Sequence, residues 1–236
     1  MPAVSGSGGS SAGKGGTASV GAGSGNAAGT AGSDSGEGGA PDTPSGEPVD
    51  CQKSGDGKTT FVFVNDCETD ITYRGSSIDG GTLEPGASAC SDLGSDVEPI
   101  SSIRYWGFAG VDPGGEHHTL AEFTLNTDFN DFDWYNLSHV DAHNLPMQIV
   151  PLNEEDCRTL TCADSLLEGC PVAGKVRDEQ GNVISCYSLD RDDPNSAVAL
   201  YFEASCKDAY SWSGDDAESM AACAGEDFAI VFCPAE

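Results

Sequence analysis

From residue 59 the chain reads as short runs of β-branched, aromatic and aliphatic residues broken by Gly, Pro, Asn and Asp. Thr59 to Asn65 (TTFVFVN) has the length and composition of a strand. A polar stretch with Asp66, Glu68, Thr69 and Asp70 separates it from ITYRG, so the two runs form a hairpin-like pair. Further strand-type runs are SSIRYWGFAG (101–110), HTLAEFTLN (118–126), WYNLSHV (134–140), LPMQIVPL (145–152) and DFAIVFC (227–233). Their spacing is that of a β-sandwich. Two segments carry helical signals. One is CADSLLEGC (162–170), with Leu166 and Leu167 facing inward, and the other is SAVALYFEASC (196–206), entered through the turn-like DRDDPN. No internal repeat of solenoid or propeller period is present.

The first fifty residues change the picture of the 236-residue chain. They hold three valines, no aromatic residue and no periodic apolar pattern, so they cannot bury enough surface to offset the entropy of ordering them. Residues 1–50 are expected to be a disordered Gly/Ser/Ala-rich linker, and 51–236 a single domain. Of the formal charge of −29, five acidic residues against one lysine leave the linker at −4 and the domain at −25. Binding to a phosphate backbone is excluded by that charge, and no apolar run approaches the ~18 residues of a spanning helix.

All ten cysteines lie in the domain: three precede residue 150 and seven fall between 157 and 233. None forms a Cys-x-x-Cys pair, so disulfides in an oxidising compartment are expected rather than zinc-ribbon or dithiol chemistry. The distribution predicts an all-β core followed by a disulfide-rich lobe of loops and short helices, with a cleft between them. Met1-Pro2-Ala3-Val4 has neither the basic nor the apolar region of a signal peptide, so the start is expected to be cut short of an export signal. A Gly/Ser-rich stretch there suits a tether between an envelope anchor and a globular head, which makes the expected location extracellular or cell-surface.

The order of several motifs resembles the thaumatin-like family. TFVFVNDCETDITYRG resembles its opening strand pair, IRYWGF its Arg-x-Trp strand, and HTLAEFTLN with DWYNLSHVDAHNLPMQIVPL its central stretch. CADSLLEGCP, SCKDAYSWSGDD and the terminal VFCP follow in the same order, so the resemblance covers about residues 60–234. It implies a flattened antiparallel β-sandwich of the small type, lacking an extra cysteine cluster between Cys186 and Cys206. It also implies the bridges Cys67–Cys233, Cys157–Cys223, Cys162–Cys206 and Cys170–Cys186, leaving Cys51–Cys90.

Family members carry an acidic cleft of one Arg, one Glu and three Asp, associated with β-1,3-glucan binding and in some cases with weak endo-glucanase activity. In this sequence Glu122, Asp141 and Asp208 stand at matching positions, while the Arg position falls on Phe108 and one Asp position on Asn136. Phe108 is therefore expected beside Glu122 with no guanidinium near. Arg104, four strand residues away, is displaced by roughly 13 Å and reads as a poor substitute. Glycoside hydrolysis needs one protonated and one ionised carboxyl group, and Glu122 and Asp141 are the candidate pair.

Other residues admit two readings. Trp106, Phe108, Trp134, Tyr135, Tyr210 and Trp212 suit either sugar stacking or core packing. Asp190, Asp192, Asp193 and Asn195 read as a turn and helix cap rather than a calcium loop, and His117 and His118 as loop residues. His139, Asp141 and His143 alternate, so a regular strand would put three metal-ligand types on one face. The competing reading is that the chain turns near Asp141 and that no metal, and no other cofactor, is bound. The resulting expectation is a monomeric, exported polysaccharide binder, with an endo-β-1,3-glucanase and a disulfide-stabilised scaffold without a glycan ligand as alternatives.

Overall fold

The computed structural model describes residues 57–93, 98–126, 132–152 and 156–235. The expected linker and Cys51 lie outside them. In chain order the strands are β1 (Thr59–Asn65), β2 (Ile71–Gly75), β3 (Ile78–Leu83), β4 (Ser88–Leu93), β5 (Ile100–Ala109), β6 (Leu120–Leu125) and β7 (Asp133–Ser138). Then come β8 (Ala142–His143), β9 (Met147–Leu152), β10 (Leu160–Cys162), β11 (Lys175–Arg177) and β12 (Val183–Tyr187). Helix α1 (Ala197–Ser205), β13 (Ala209–Tyr210), the single turn α2 (Asp216–Ser219), β14 (Met220–Cys223) and β15 (Asp227–Phe232) complete the chain.

Two large sheets face each other. The first has the order β10-β9-β15-β1-β4, and the second β13-β7-β6-β5-β2-β3 with β14 alongside β7. The β1–β15 pair is parallel, with Phe61 opposite Phe228 and Phe63 opposite Ile230. β15 is buried on both faces from Asp227 to Phe232, which is why it reads as an unbroken apolar run rather than an alternating one. β9 tolerates Pro151 because β10 pairs only with Met147–Ile149 and leaves that part of the strand open on one side.

The space between the sheets is filled mainly by aromatic rings. Phe61 packs on Tyr105 and Phe123 with centroids 4.7 and 4.8 Å apart, and Phe228 approaches Phe123 and Tyr135 at 5.2 Å each. Gly107 on β5 is fixed by this packing, since a Cβ there would come within 2.7 Å of the Phe232 ring. In β6 the burial alternates strictly, with Ala121, Phe123 and Leu125 inward, so Glu122 and Thr124 emerge on the outer face of the second sheet.

A small sheet, β11-β12-β8, and α1 make the lobe. Ser196 caps α1 by accepting the Ala199 N–H at 3.1 Å, and Val198, Ala199 and Phe202 turn inward. The helix expected over 162–170 is not formed. Leu160–Cys162 is a strand, and the segment that follows is irregular, its ends held to different partners by Cys162–Cys206 and Cys170–Cys186. Seven residues between two cysteines tied in that way, with Asp164, Ser165 and Gly169 among them, cannot recover the cost of nucleating a helix. Leu166 nevertheless faces the lobe's interior, while Leu167 is only half-buried.

Cys67–Cys233 and Cys157–Cys223 join the ends of the sandwich, and with the lobe's two bridges they make the same four pairs that the resemblance implies. Among the described residues no cysteine is free.

Candidate functional site

Three strands of the second sheet present one polar row. Arg104 on β5 is opposite Glu122 on β6, and Glu122 is opposite Asn136 on β7. Arg104 Nε forms an ion pair with Glu122 Oε1 at 3.2 Å, and the Asn136 amide donates to Glu122 Oε2 at 3.2 Å. Both carboxylate oxygens are thus held by side chains from flanking strands. This corrects the expectation for Arg104. The guanidinium absent at position 108 is supplied from position 104, because the β5–β6 register sets Arg104 directly across from Glu122.

The same register moves Phe108 away. Phe108 is opposite Thr72, buried, with its ring 6.1 Å from that of His118, so it does not stand beside Glu122 as expected. Four residues of strand, roughly 13 Å, separate it from Arg104.

Asp141 reaches the row from the connection between β7 and β8. The connection is held by the His139 N–H donating to the Tyr210 carbonyl at 2.8 Å and the Ser188 N–H donating to the Asp141 carbonyl at 2.7 Å, and just past β8 Asn144 accepts the Thr119 N–H and donates to the Gly107 carbonyl, each at 2.8 Å. Asp141 is mostly buried and pairs with Arg191 Nη1 at 3.2 Å. Burial raises its pKa; Arg191 opposes this, Glu116 adds to it and Arg104 opposes it.

Arg191 belongs to the DRDDPN loop. There Ser213 N–H donates to the Arg191 carbonyl at 2.9 Å and Ser213 Oγ–H to Asp192 at 2.6 Å. Asp190, Asp193 and Asn195 close turns that lead into α1, as the turn reading requires.

Together Arg104, Glu122, Asn136, Asp141, Arg191 and Asp216 line a groove of about 290 Å³. Asp216 accepts a 2.7 Å hydrogen bond from the Tyr210 hydroxyl, whose pKa is raised by burial and by that carboxylate. Asp208, expected in the cleft, faces elsewhere. Its carboxylate accepts from Arg158 at 2.6 Å and from the Thr161 N–H at 3.0 Å, beside Cys162–Cys206 in a separate depression. The third acid of the groove is Asp216, eight residues later in the same SCKDAYSWSGDD motif. The pair of acids ending that motif was the available signal, and Arg191 had none beyond the turn that carries it.

Of the aromatic candidates, Trp106, Trp134 and Tyr210 line the groove or its extensions. Tyr135 is in the core, donating its hydroxyl to the Arg158 carbonyl, and Trp212 packs over Gly214.

The alternating His139, Asp141 and His143 do not share a face. β8 is only two residues long, the chain bends at Asp141, and both histidines are fully buried while Asp141 points to the groove. Leu166 N–H donates to His143 Nε2 at 3.1 Å, so a neutral His143 carries its proton on Nδ1 and donates it to His139 Nε2, 3.1 Å away. Burial lowers both pKa values, that of His139 to about 3, and His139 adds to the effect on His143. Among the described residues no three His, Cys, Asp or Glu side chains are placed to hold a metal ion. His117 and His118 lie in the β5–β6 loop, where His118 Nε2 meets Asp112 at 2.9 Å.

The thaumatin family model matches residues 111–196. A pathogenesis-related thaumatin-like protein (3.5) of Cryptomeria japonica is 31% identical over 227 residues, covering 75% of this chain and 91% of its own. This chain belongs to the thaumatin family. A second thaumatin relative, pathogenesis-related protein 5 of Arabidopsis thaliana, is 30% identical, with 75% and 90% of the two chains covered. Among solved structures, that of the thaumatin-like xylanase inhibitor TLXI matches 74% of this chain and 99% of its own at 16% identity and a TM-score of 0.38.

Proposed function

We propose that this thaumatin-like domain is an exported carbohydrate-binding protein that takes a β-1,3-glucan-type polysaccharide in the groove over β5, β6 and β7. The observation that carries this reading is the fixed polar row Arg104–Glu122–Asn136, set in an open groove with half-buried indoles at its extensions. Sugar rings offer hydroxyl groups at their edges and apolar C–H faces. A carboxylate and a guanidinium held in place by each other accept from and donate to such hydroxyls without reorganising, and indoles cover the faces. The disulfides suit an oxidising, extracellular setting. A pull-down against insoluble polysaccharides tests the reading: retention on a β-1,3-glucan, weakened by Glu122→Gln, is expected. Failure to bind any polysaccharide would leave the scaffold reading.

One observation favours a second reading, an endo-β-1,3-glucanase. Burial raises the pKa of Asp141, which suits a general acid, and Glu122 is the second carboxyl group lining the same groove. Reducing-sugar release that Asp141→Asn abolishes while binding persists would establish cleavage.

A further inference from the structure

β5 and β7 run in the same direction on either side of β6, since each is antiparallel to it. Trp106 stands two residues after Arg104 on β5, and Trp134 two residues before Asn136 on β7. Both share the outward face with the polar row. Four residues along the strands and two strand spacings across them place the indoles roughly 16 Å apart on a diagonal whose middle is Glu122. Each indole lines its own depression, about 220 Å³ at Trp134 and about 130 Å³ at Trp106, and both depressions adjoin the central groove through Arg104. Both rings lie outside the core between the sheets, since the inner face of the same strands is filled by Tyr105, Phe123 and Tyr135, and Trp106 has its ring 6.0 Å from that of His118.

We infer that Trp106 and Trp134 are specificity-determining platforms that select an extended glycan chain lying along this diagonal, each stacking on one sugar ring while Arg104, Glu122 and Asn136 bond the hydroxyls between. The inference rests on the proposed glycan binding at the same groove. Its added content is a length requirement. A chain that reaches both platforms gains the second contact intramolecularly, whereas a disaccharide at the centre reaches neither. Half-burial serves this role, since the packed part of each indole fixes the ring and the open part receives the ligand.

The test titrates the protein with β-1,3-linked oligosaccharides from disaccharide to hexasaccharide. The unaltered domain is expected to bind the hexasaccharide at least about tenfold more tightly than the disaccharide, and Trp106→Ala or Trp134→Ala to remove most of that gain. Glu122→Gln should weaken all lengths alike, and Trp→Tyr at either site should keep most of the length dependence. Because an alanine variant can fail to fold, indole quenching by acrylamide is read on the unaltered protein, where the hexasaccharide but not the disaccharide should protect. Normal hexasaccharide binding by both alanine variants, with Glu122→Gln impaired, overturns the platforms and leaves the binding function intact. Equal affinity of the unaltered protein for all lengths, with no protection of the indoles, does the same. No binding at any length overturns the function and the platforms together.

Discussion

Two buried histidines and one buried aspartate respond to acid with opposite signs. His139 and His143 are neutral in the fold, with pKa values below the ordinary 6.5, so the stability tied to their neutrality is fully present above pH 6.5. It is lost as the pH falls below that value, by up to about 1.4 kcal/mol per pH unit for each histidine. Asp133 runs the other way. It is buried, its Oδ1 accepts the Asn126 N–H at 2.7 Å, its Oδ2 has no hydrogen-bond partner among the described residues, and burial raises its pKa to about 6. The folded state therefore favours protonated Asp133, whose contribution is present at low pH and lost as the pH rises through about 6. Asp133→Asn is expected to stabilise the protein at pH 8 by up to about 3 kcal/mol and to steepen the loss below pH 6, read from urea midpoints across pH. His139→Gln should flatten that loss at some cost in stability at pH 8. An unchanged pH profile in either variant would contradict the assigned protonation states. The histidines also show where sequence misleads: their alternation is real in the sequence, but β8 is too short for alternation to fix a face.

Legibility varied with the kind of neighbour each element has. β1, β6 and β15 were plain in the sequence because their side chains face a core that dictates burial, in alternation for β6 and without a break for β15. The edge strands β3 and β4, with Gly80, Gly81 and mixed polar residues, carry no such pattern and take their form from pairing with β2 and β1. The helix expected over 162–170 failed for a related reason, since two disulfides to different elements outweighed local propensity. The site was legible only in part. Glu122, Asn136 and Asp141 could be named from the sequence and line one groove, but the cation beside Glu122 depended on cross-strand register, which places Arg104 and not residue 108 there. Gly107 tests how tightly that register is held. Gly107→Ala would drive a Cβ to 2.7 Å from the Phe232 ring and should cost about 1–3 kcal/mol while shifting β5 against β6. Thermal unfolding reads the cost, and a loss of the proposed glucan binding beyond it would show that the shift reaches Arg104. A variant as stable as the parent would mean that Phe232 yields freely.

On the scale of the whole molecule, the disulfides close loops of very different length, and they are nested. Cys67–Cys233 spans 166 residues, but Cys157–Cys223 lies inside it, so removing the outer bridge frees a loop of about 100 residues rather than the full span. Cys170–Cys186 closes only 16 residues. In the chain-entropy account the stabilisation grows with the logarithm of loop length, so the outer bridge is expected to contribute about 1.5 kcal/mol more than the lobe's bridge. Each pair is replaced by two alanines and unfolded in guanidinium chloride with the remaining bridges intact. Cys67→Ala with Cys233→Ala should lower the midpoint more than Cys170→Ala with Cys186→Ala. The packing differs in the opposite sense, because Cys186 is fully buried against Leu166, Val198 and Phe202 in the lobe's small core. Cavity formation there would add to the cost of the shorter bridge. The comparison therefore separates two origins of stability: a larger loss from the outer pair assigns it to restriction of the unfolded chain. Equal losses, or a larger loss from the lobe pair, would sink that account and assign the lobe's stability to packing around its sulfur atoms.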